Sequence, residues 1–442
     1  MDGTASSRIT IYMSKLILVT RDWSGLGLAV LAKMQGSDVI VAYDYDKEAD
    51  DLEHTELIGD GLLEKIPVAE ATKKLIMSGN VWLFDSNGMP ALAERLKKAD
   101  EAIVGTSALS SKMENDRDYA VGIAESVGLK APETQKFTDY SAAIKFLESN
   151  KDKSYVYKPY EGDATSTYVP QEREDLSKAN EELREYLSSL SEGSPKFILQ
   201  EVVEGIEVAF DMWLRNGSPV ATFMDLEAKR KMTGDLGENI GCAGGYVSKL
   251  RASARGIRET LGKYLNWDGL KGYTGTIDVN VIFTKRGPLF LENCFRFGYA
   301  AYPSMFHVLA RHSLEETLRQ WITGKEQMDS WFRNGFAGSL TLTNDCPKDG
   351  QPLLIPEAIE NQVDVYRAYK QDGHLRLTEG WPEICAVTAK GETIVEAGDR
   401  CLKLAEQVSF PGKGYRLDLA KSDLPTLPLS RFRALQFGGY LG

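Results

Sequence analysis

"TIDVNVIFTKRGPLFLENCFRFG", residues 276–298, reads as two apolar strands joined at "TKRG", with charged and amide side chains set into runs that otherwise belong in a core. Strand alternation puts Asp278 and Asn280 on one face of the first strand, and Glu292, Cys294 and Arg296 on one face of the second. Two carboxylates meeting across a hairpin repel unless a cation lies between them, and a buried charge without a partner is costly. Mg2+ suits such a place: it takes oxygen ligands, usually one or two carboxylates, and completes its shell with phosphate and water. An internal Glu292–Arg296 ion pair is the competing reading of the same residues.

Working outward, Lys158 closes the apolar run "YVYKPY" just before the small polar loop "EGDATST", which includes Ser166. Backbone N–H groups and an ammonium in that arrangement suit a triphosphate. Taken alone, the lysine also fits a surface side chain laid along apolar neighbours. "ILQEVVEGIE" offers Gln200 and Glu201 at a strand end and Glu207 beyond a turn, groups suited to an adenine edge and ribose hydroxyls or simply to an acidic hairpin.

The start of the chain alternates differently. "KLILVT", "DVIVAY", "VWLFD" and "EAIVG" are continuous apolar runs separated by helical stretches such as "SGLGLAVLAKM" and "PALAERLKKAD". Strands buried on both faces and alternating with helices imply a parallel sheet, a Rossmann-like domain over residues 13–112. Its first loop, "RDWSGLG", lacks the full GxGxxG pattern. A helix at "NDRDYAVGIAESVG" follows, then an exposed helix at "QEREDLSKANEELREYLSSL". "KFILQEVVEGIEVAFDMWLRNGSPVATFMDL" suggests three strands in an antiparallel meander with turns at "EGIE" and "RNGS". Residues 113–330 read as a central domain in two parts, 113–200 and 201–330, closed by the helix "SLEETLRQWITG". Residues 331–442, with "GSLTLTN", "EICAVTAKGETIVEAGDRCLKLAEQV" and "YRLDLA", read as a small α+β cap. The fold class is α/β and α+β, multidomain.

With 442 residues, 43% hydrophobic and 26% charged, the chain is long enough for several domains and a large core. A formal net charge of -12 argues against non-specific nucleic-acid or anionic-membrane binding, since both call for a cationic surface. Five cysteines, odd in number and without a CxxC pair, read as free thiols of a reducing cytosol. No apolar stretch approaches about 18 residues, the length that spans a membrane. Met13 reads as the natural start, with residues 1–12 a leader or an expression artefact.

The order of these features resembles the ATP-grasp fold and, within it, the phosphoribosylamine–glycine ligase family. The resemblance runs from Lys15 to the C-terminal "VTAKGETIVEAGDRCLKLAEQV" and is sharpest at "QEVVEGIEVAF", "KRKMTGDLGENIGCAGGY", "GYTGTIDVNVI" and "LENCFRFG". It implies that Arg117 and Lys158 stand at the two phosphate-binding basic positions. Gln200, Glu201 and Val203 then form the adenine hinge, and Glu207 is the ribose acid. Lys229 lies near the γ-phosphate, and Asn239, Gly244 and Gly245 form a loop over an acyl-phosphate site. Glu292 becomes a metal ligand, and Arg296 holds phosphate or the acid substrate. Asp278 falls where ATP-grasp enzymes in general often place a second metal carboxylate. The chain also departs from the pattern: the asparagine expected two residues after Glu292 is replaced by Cys294, a soft ligand. Asn293 stands one residue early, so either a bulge turns it inward or Asp278, with Asn280, supplies the missing oxygen. "DWSGLG" replaces a first-strand loop that in the family approaches the phosphoribosyl substrate, and "GYAAY" stands where the family reads Gly-Asp-Pro-Glu after the arginine.

The activity so implied is ADP-forming ligation of a carboxylate to an amine through an acyl phosphate. ATP and Mg2+ (or Mn2+) are the cofactors and small molecules the partners, with glycine and phosphoribosylamine as the first pair, in purine biosynthesis. The expected setting is cytoplasmic, as monomer or homodimer. Catalysis by positioning and charge, with Arg296, Lys229 and Asn239, needs none of the four histidines. A different acid or an amine such as a modified nucleotide, a non-catalytic ATP-binding regulator, and an NAD-binding oxidoreductase are the other readings.

Overall fold

In a computed structural model, residues 14–44, 56–76, 79–160, 167–172, 175–190, 196–297 and 302–442 are described. Ser166, the loop 161–166, Gly298 and residues 1–13 lie outside them.

The first apolar runs become β1 (Leu16–Thr20), β2 (Val39–Tyr43), β3 (Glu64–Pro67), β4 (Val81–Phe84) and β5 (Ala102–Val104). They form a parallel sheet in the order β3-β2-β1-β4-β5. Leu16 and Leu18 enter one core while Ile17 and Val19 enter another on the opposite face, which is why β1 shows no polar alternation. The half-exposed edge strand β3, "EKIP", carries too little apolar signal to be found from sequence.

A three-stranded sheet, β6 (Thr134–Phe137), β7 (Tyr155–Pro159) and β8 (Phe197–Glu201), has β8 in the middle. Its aromatic core includes Phe137, Tyr157 and Phe197 under the helices Tyr140–Ser149 and Leu176–Ser189. The expected three-strand meander is thereby corrected: β8 pairs with β6 and β7, not with the strand that follows it. The chain breaks at Gly205, where a Cβ would lie 2.4 Å from the Phe283 carbonyl oxygen, so only glycine lets the connection run this close.

The central sheet collects β9 (Ile206–Arg215), β10 (Ser218–Met232), β11 (Leu236–Lys249), β12 (Gly275–Thr284), β13 (Gly287–Cys294), β14 (Phe336–Thr343), β15 (Val363–Val365) and, after the hairpin β16 (Ala368–Gln371) and β17 (His374–Leu377), β18 (Glu383–Gly391). Its order is β13-β12-β9-β10-β11-β14-β18-β15. The strands of the C-terminal region therefore extend this sheet through the β11–β14 pairing. "YRLDLA" forms no strand, and the helix Pro428–Phe437 follows it. One face of the sheet is apolar: Val208, Phe210, Met224, Leu226, Val279 and Val281 share a core. The other face holds the site.

Candidate active site in the cleft between the two antiparallel sheets

Strand pairing fixes which side chains share the cleft face. Asp278 stands opposite Cys294 and Asn280 opposite Glu292, while across the sheet Asp211 stands opposite Asp278 and Asp225 opposite Ala209. These positions alternate with the core residues Val279 and Val281. On β13 simple alternation would put Phe290 and Glu292 on one side. The register instead skips Leu291, with Val281 opposite Phe290 and Asn280 opposite Glu292, so that Phe290 enters the core and Glu292 the cleft.

Five of the sequence-selected charges converge here. Lys229 Nζ lies 3.0 Å from Glu207 and 3.5 Å from Glu292, bridging two carboxylates. Lys158, from β7 of the smaller sheet, and Arg117, at the start of the helix Arg117–Ser126, add positive charge across the cleft. Burial works against the charge on Glu292, but Lys229, then Lys158 and Arg117, outweigh it and hold the carboxyl at about 2. Burial pulls the Lys158 ammonium down to about 8, with Glu292 opposing and Arg117 and Lys229 assisting. Burial also acts against charge on Lys229, yet Glu207, Glu292 and Glu227 raise it well above the ordinary lysine value. Such a cluster is arranged to accept a polyanion whose charge would satisfy Lys158 and Arg117 together.

Behind this cluster the selected Asp278 is joined by two acids that sequence analysis did not select, Asp211 and Asp225. Asp211, Asp225 and Asp278 are all buried, and burial first, then repulsion from Asp278 at Asp211 and from Glu227 at Asp225 and Asp278, raises the proton affinity of each, that of Asp278 to about 8 against an opposing hydrogen bond with Asp211. The signal was the one that exposed Asp278: an acid interrupting an apolar strand, as in "VAFDMW" and "TFMDLE". Because these carboxyls are raised above their ordinary value of 3.8, the folded protein holds more protons than the unfolded chain from about pH 4 to about 8. Stability should fall as pH rises through that window, by about 1.4 kcal/mol per pH unit for each such proton. Glu207 and Glu292, held low, lose their contribution only as pH falls below their ordinary 4.5. Thermal melts of the nucleotide-free protein should give a higher Tm at pH 5 than at pH 8; the reverse order would show that the acids are ionised.

The remaining selected residues fall in several places. Gln200 is buried on β8, its Nε2 3.4 Å from Thr134 Oγ1, Glu201 lies 3.9 Å from Lys153, and Val203 is half-buried in the connection after β8. Asn239, Gly244 and Gly245 do not form a loop: they lie within β11, Asn239 opposite Arg230 and both glycines between β10 and β14. Gly244, at φ +140°, leaves no room for a Cβ beside the Ser339 carbonyl oxygen at 2.6 Å. Asn239 Oδ1 accepts a hydrogen bond from the Gly241 N–H.

Arg296 does not pair with Glu292. Its Nε donates to Glu114 Oε1 at 2.9 Å, and Glu114 Oε2 accepts the Phe295 N–H at 2.9 Å, so a helix residue with no local sequence signal orients the arginine. Asn293 is also corrected: it stands opposite Val279 on the core side, where Tyr264 OH lies 3.4 Å from its Oδ1. The bulge falls one residue before Glu292 and leaves Asn293 pointing away from Asp278 and Glu292.

A divalent cation fits the oxygen donors on the cleft face. Asp278, whose Oδ1 accepts a 2.9 Å hydrogen bond from Asn280, and Glu292 face the same side. Cys294 shares that face but is ill matched to Mg2+. Among the described residues no three of His, Cys, Asp or Glu form a metal cage.

The chain is similar to known proteins over most of its length. Residues 115–301 match the family described as phosphoribosylglycinamide synthetase, ATP-grasp (A) domain. A phosphoribosylamine–glycine ligase from Haemophilus influenzae is 27% identical over 349 residues, covering 74% of this chain and 79% of that protein. Among solved structures, the phosphoribosylamine–glycine ligase of Thermotoga maritima superposes with a TM-score of 0.64 at 18% identity, over 91% of this chain and 99% of that one. The biotin carboxylase domain of the Hydrogenobacter thermophilus 2-oxoglutarate carboxylase, solved with MgADP, gives 0.56 at 12% identity, over 91% and 92%. Residues 115–301 are therefore similar to an ATP-grasp domain and, over most of its length, the chain resembles phosphoribosylamine–glycine ligase.

Proposed function

We propose that the protein is an ATP-dependent carboxylate–amine ligase of the phosphoribosylamine–glycine ligase type, acting in purine biosynthesis. The observation that carries this reading is the meeting of Lys158, Lys229, Glu207 and Glu292 in one cleft between two sheets. A carboxylate is a poor electrophile at neutral pH, so amide formation calls for activation, and a γ-phosphoryl group supplies it. The carboxylate oxygen bonds to phosphorus as ADP departs, then the amine bonds to the acyl carbon as phosphate departs.

Each residue has a task in that scheme. Glu207 holds the ribose, with Gln200, Glu201 and Val203 along the adenine. Lys158 and Arg117 hold the phosphates, and Lys229 fixes the spacing between Glu207 and Glu292. Arg296, oriented by Glu114, receives the acid or the phosphate formed. Asp278 and Glu292 would hold Mg2+, which would offset phosphate charge. We place the protein in the cytoplasm as a monomer or homodimer; among the described residues no helix is long and apolar enough to cross a membrane.

The test is release of ADP and phosphate across amino acids and amines, starting with glycine and phosphoribosylamine. Turnover above the rate with ATP alone is expected for at least one pair. Measurable ATP binding with no turnover for any pair would instead identify a non-catalytic ATP-binding regulator.

A further inference from the structure

Beyond Ala209 and Asp225 the ladder between β9 and β10 stops, although β9 stays paired with β12 down to Ile206 and β10 runs on to Met232. On its other edge β10 breaks register with β11 between Ala228 and Arg230, the partner jumping from Gly244 to Asn239. Glu207 and Lys229, which pair in the cleft, therefore stand where the sheet opens along β10. Backbone carbonyls without a ladder partner need donors from elsewhere.

The C-terminal segment supplies them. The helix Pro428–Phe437 lies against β9 and β10, and its Leu429 and Leu435 join the apolar core on the side of the sheet away from the cleft. From that helix Arg431, 7% exposed, reaches the gap: Nη1 donates to the Glu207 carbonyl oxygen at 3.1 Å and Nη2 to that of Glu227. One planar guanidinium thus spans the two strands where their own hydrogen bonds have ended. Arg416, in "YRLDLA", is also buried; it pairs with Asp418 at 2.8 Å and donates to the Arg230 carbonyl oxygen at 2.7 Å. Two C-terminal arginines therefore hold β10 on either side of Lys229.

Charge adds to this geometry. Lys229 first, and Arg431 after it, hold the Glu207 carboxyl below its ordinary range against the effect of burial. Burial in turn opposes the charge on Arg431, while Glu207, Asp235, Glu227 and Asp225 favour it. The arginine is thus matched to Glu207 through both backbone and side chain.

Resting on the reading of Glu207 as the acid that holds the ribose, we propose that Arg431 is a positioning residue of the nucleotide site, fixing β9 against β10 from the far side of the sheet so that the Glu207 carboxylate meets the ribose hydroxyls. It touches no ligand itself, and its effect on binding passes through Glu207.

Titrations of the full chain with MgATP and with the 2′,3′-dideoxy analogue, which lacks those hydroxyls, read this role. Wild type should bind ATP about tenfold more tightly than the analogue. Arg431→Met keeps a long side chain and removes both donors; it should weaken ATP about tenfold and leave the analogue within about twofold, so that the preference disappears. Arg431→Lys keeps the charge without the fork and should retain an intermediate preference of about threefold. A general loosening of the fold would weaken both nucleotides alike, so equal loss overturns the proposal, as does an undiminished preference in Arg431→Met. Should Arg431→Met melt too early to titrate, Arg431→Lys decides, with a preference equal to that of wild type overturning the proposal. A wild type without preference removes the ribose assignment of Glu207 and the proposal with it; a wild type that binds neither nucleotide removes the ligase reading as well. Because the readout is binding, a protein that binds ATP but ligates no pair loses the ligase reading and still returns the ratio.

Discussion

Glu292→Gln is expected to lower ligase turnover by about 1000-fold while leaving the protein folded. The substitution keeps the shape of the side chain and removes its charge, which Lys229, Lys158 and Arg117 maintain by holding the carboxyl at about 2. Without it, the acids left on that face, Asp278 with Asp211 and Asp225, all bind protons more tightly than usual, Asp278 being raised to about 8. Glutamine still reaches Lys229, which retains Glu207 at 3.0 Å. Because 36% of the Glu292 side chain is exposed, solvent already screens the pair, and the stability change should stay within about 1 kcal/mol. ADP release, nucleotide titration and a thermal melt measured together settle the matter: a variant keeping more than a tenth of wild-type turnover would remove Glu292 from the chemistry.

Lys229→Met should be nearly as damaging for a different reason. It deletes the cation between Glu207 and Glu292, leaving two carboxylates facing each other in a cleft that already contains Glu227 and Asp278. Both should then bind protons more tightly: Lys229 is the main group holding Glu207 low and the strongest of the cations holding Glu292 low, where Lys158 and Arg117 remain. Turnover should fall about 100- to 1000-fold, and the acid limb of the pH–rate profile should move toward neutrality. The three side chains are 28–36% exposed, so the stability cost should be about 1–2 kcal/mol, less than for a fully buried pair. An unmoved acid limb would mean that Lys229 does not control the protonation of Glu292.

Much of this site is legible locally. Alternation in β12 separates Asp278 and Asn280 from Val279 and Val281, and the structure keeps that division. The five residues of the charge cluster were selected one by one, from chemistry and from the ATP-grasp resemblance. What sequence does not show is distance across the fold. Glu114 and Arg296 are 182 positions apart, and no local pattern links them. The joining of β14 to β11, and the placing of β8 in a different sheet from β9, depend on strand edges that meet only after the chain has folded. Asp211 and Asp225 were readable in principle, but each looks like an isolated polar residue until β9 and β10 lie side by side.

The skipped residue on β13 has a consequence for how this protein tolerates change. Side chains on a strand alternate with a period of two, and Leu291 stands outside that count. Another apolar side chain at that position leaves the assignment of sides intact. Loss of the residue would remove the bulge and leave a regular ladder, with Phe290 still opposite Val281 and Glu292 still opposite Asn280, so each keeps its side. The strand between the turn at Lys285 and Glu292 therefore holds one residue more than its ladder needs, and a one-residue gap at the bulge would leave Glu292 facing the cleft.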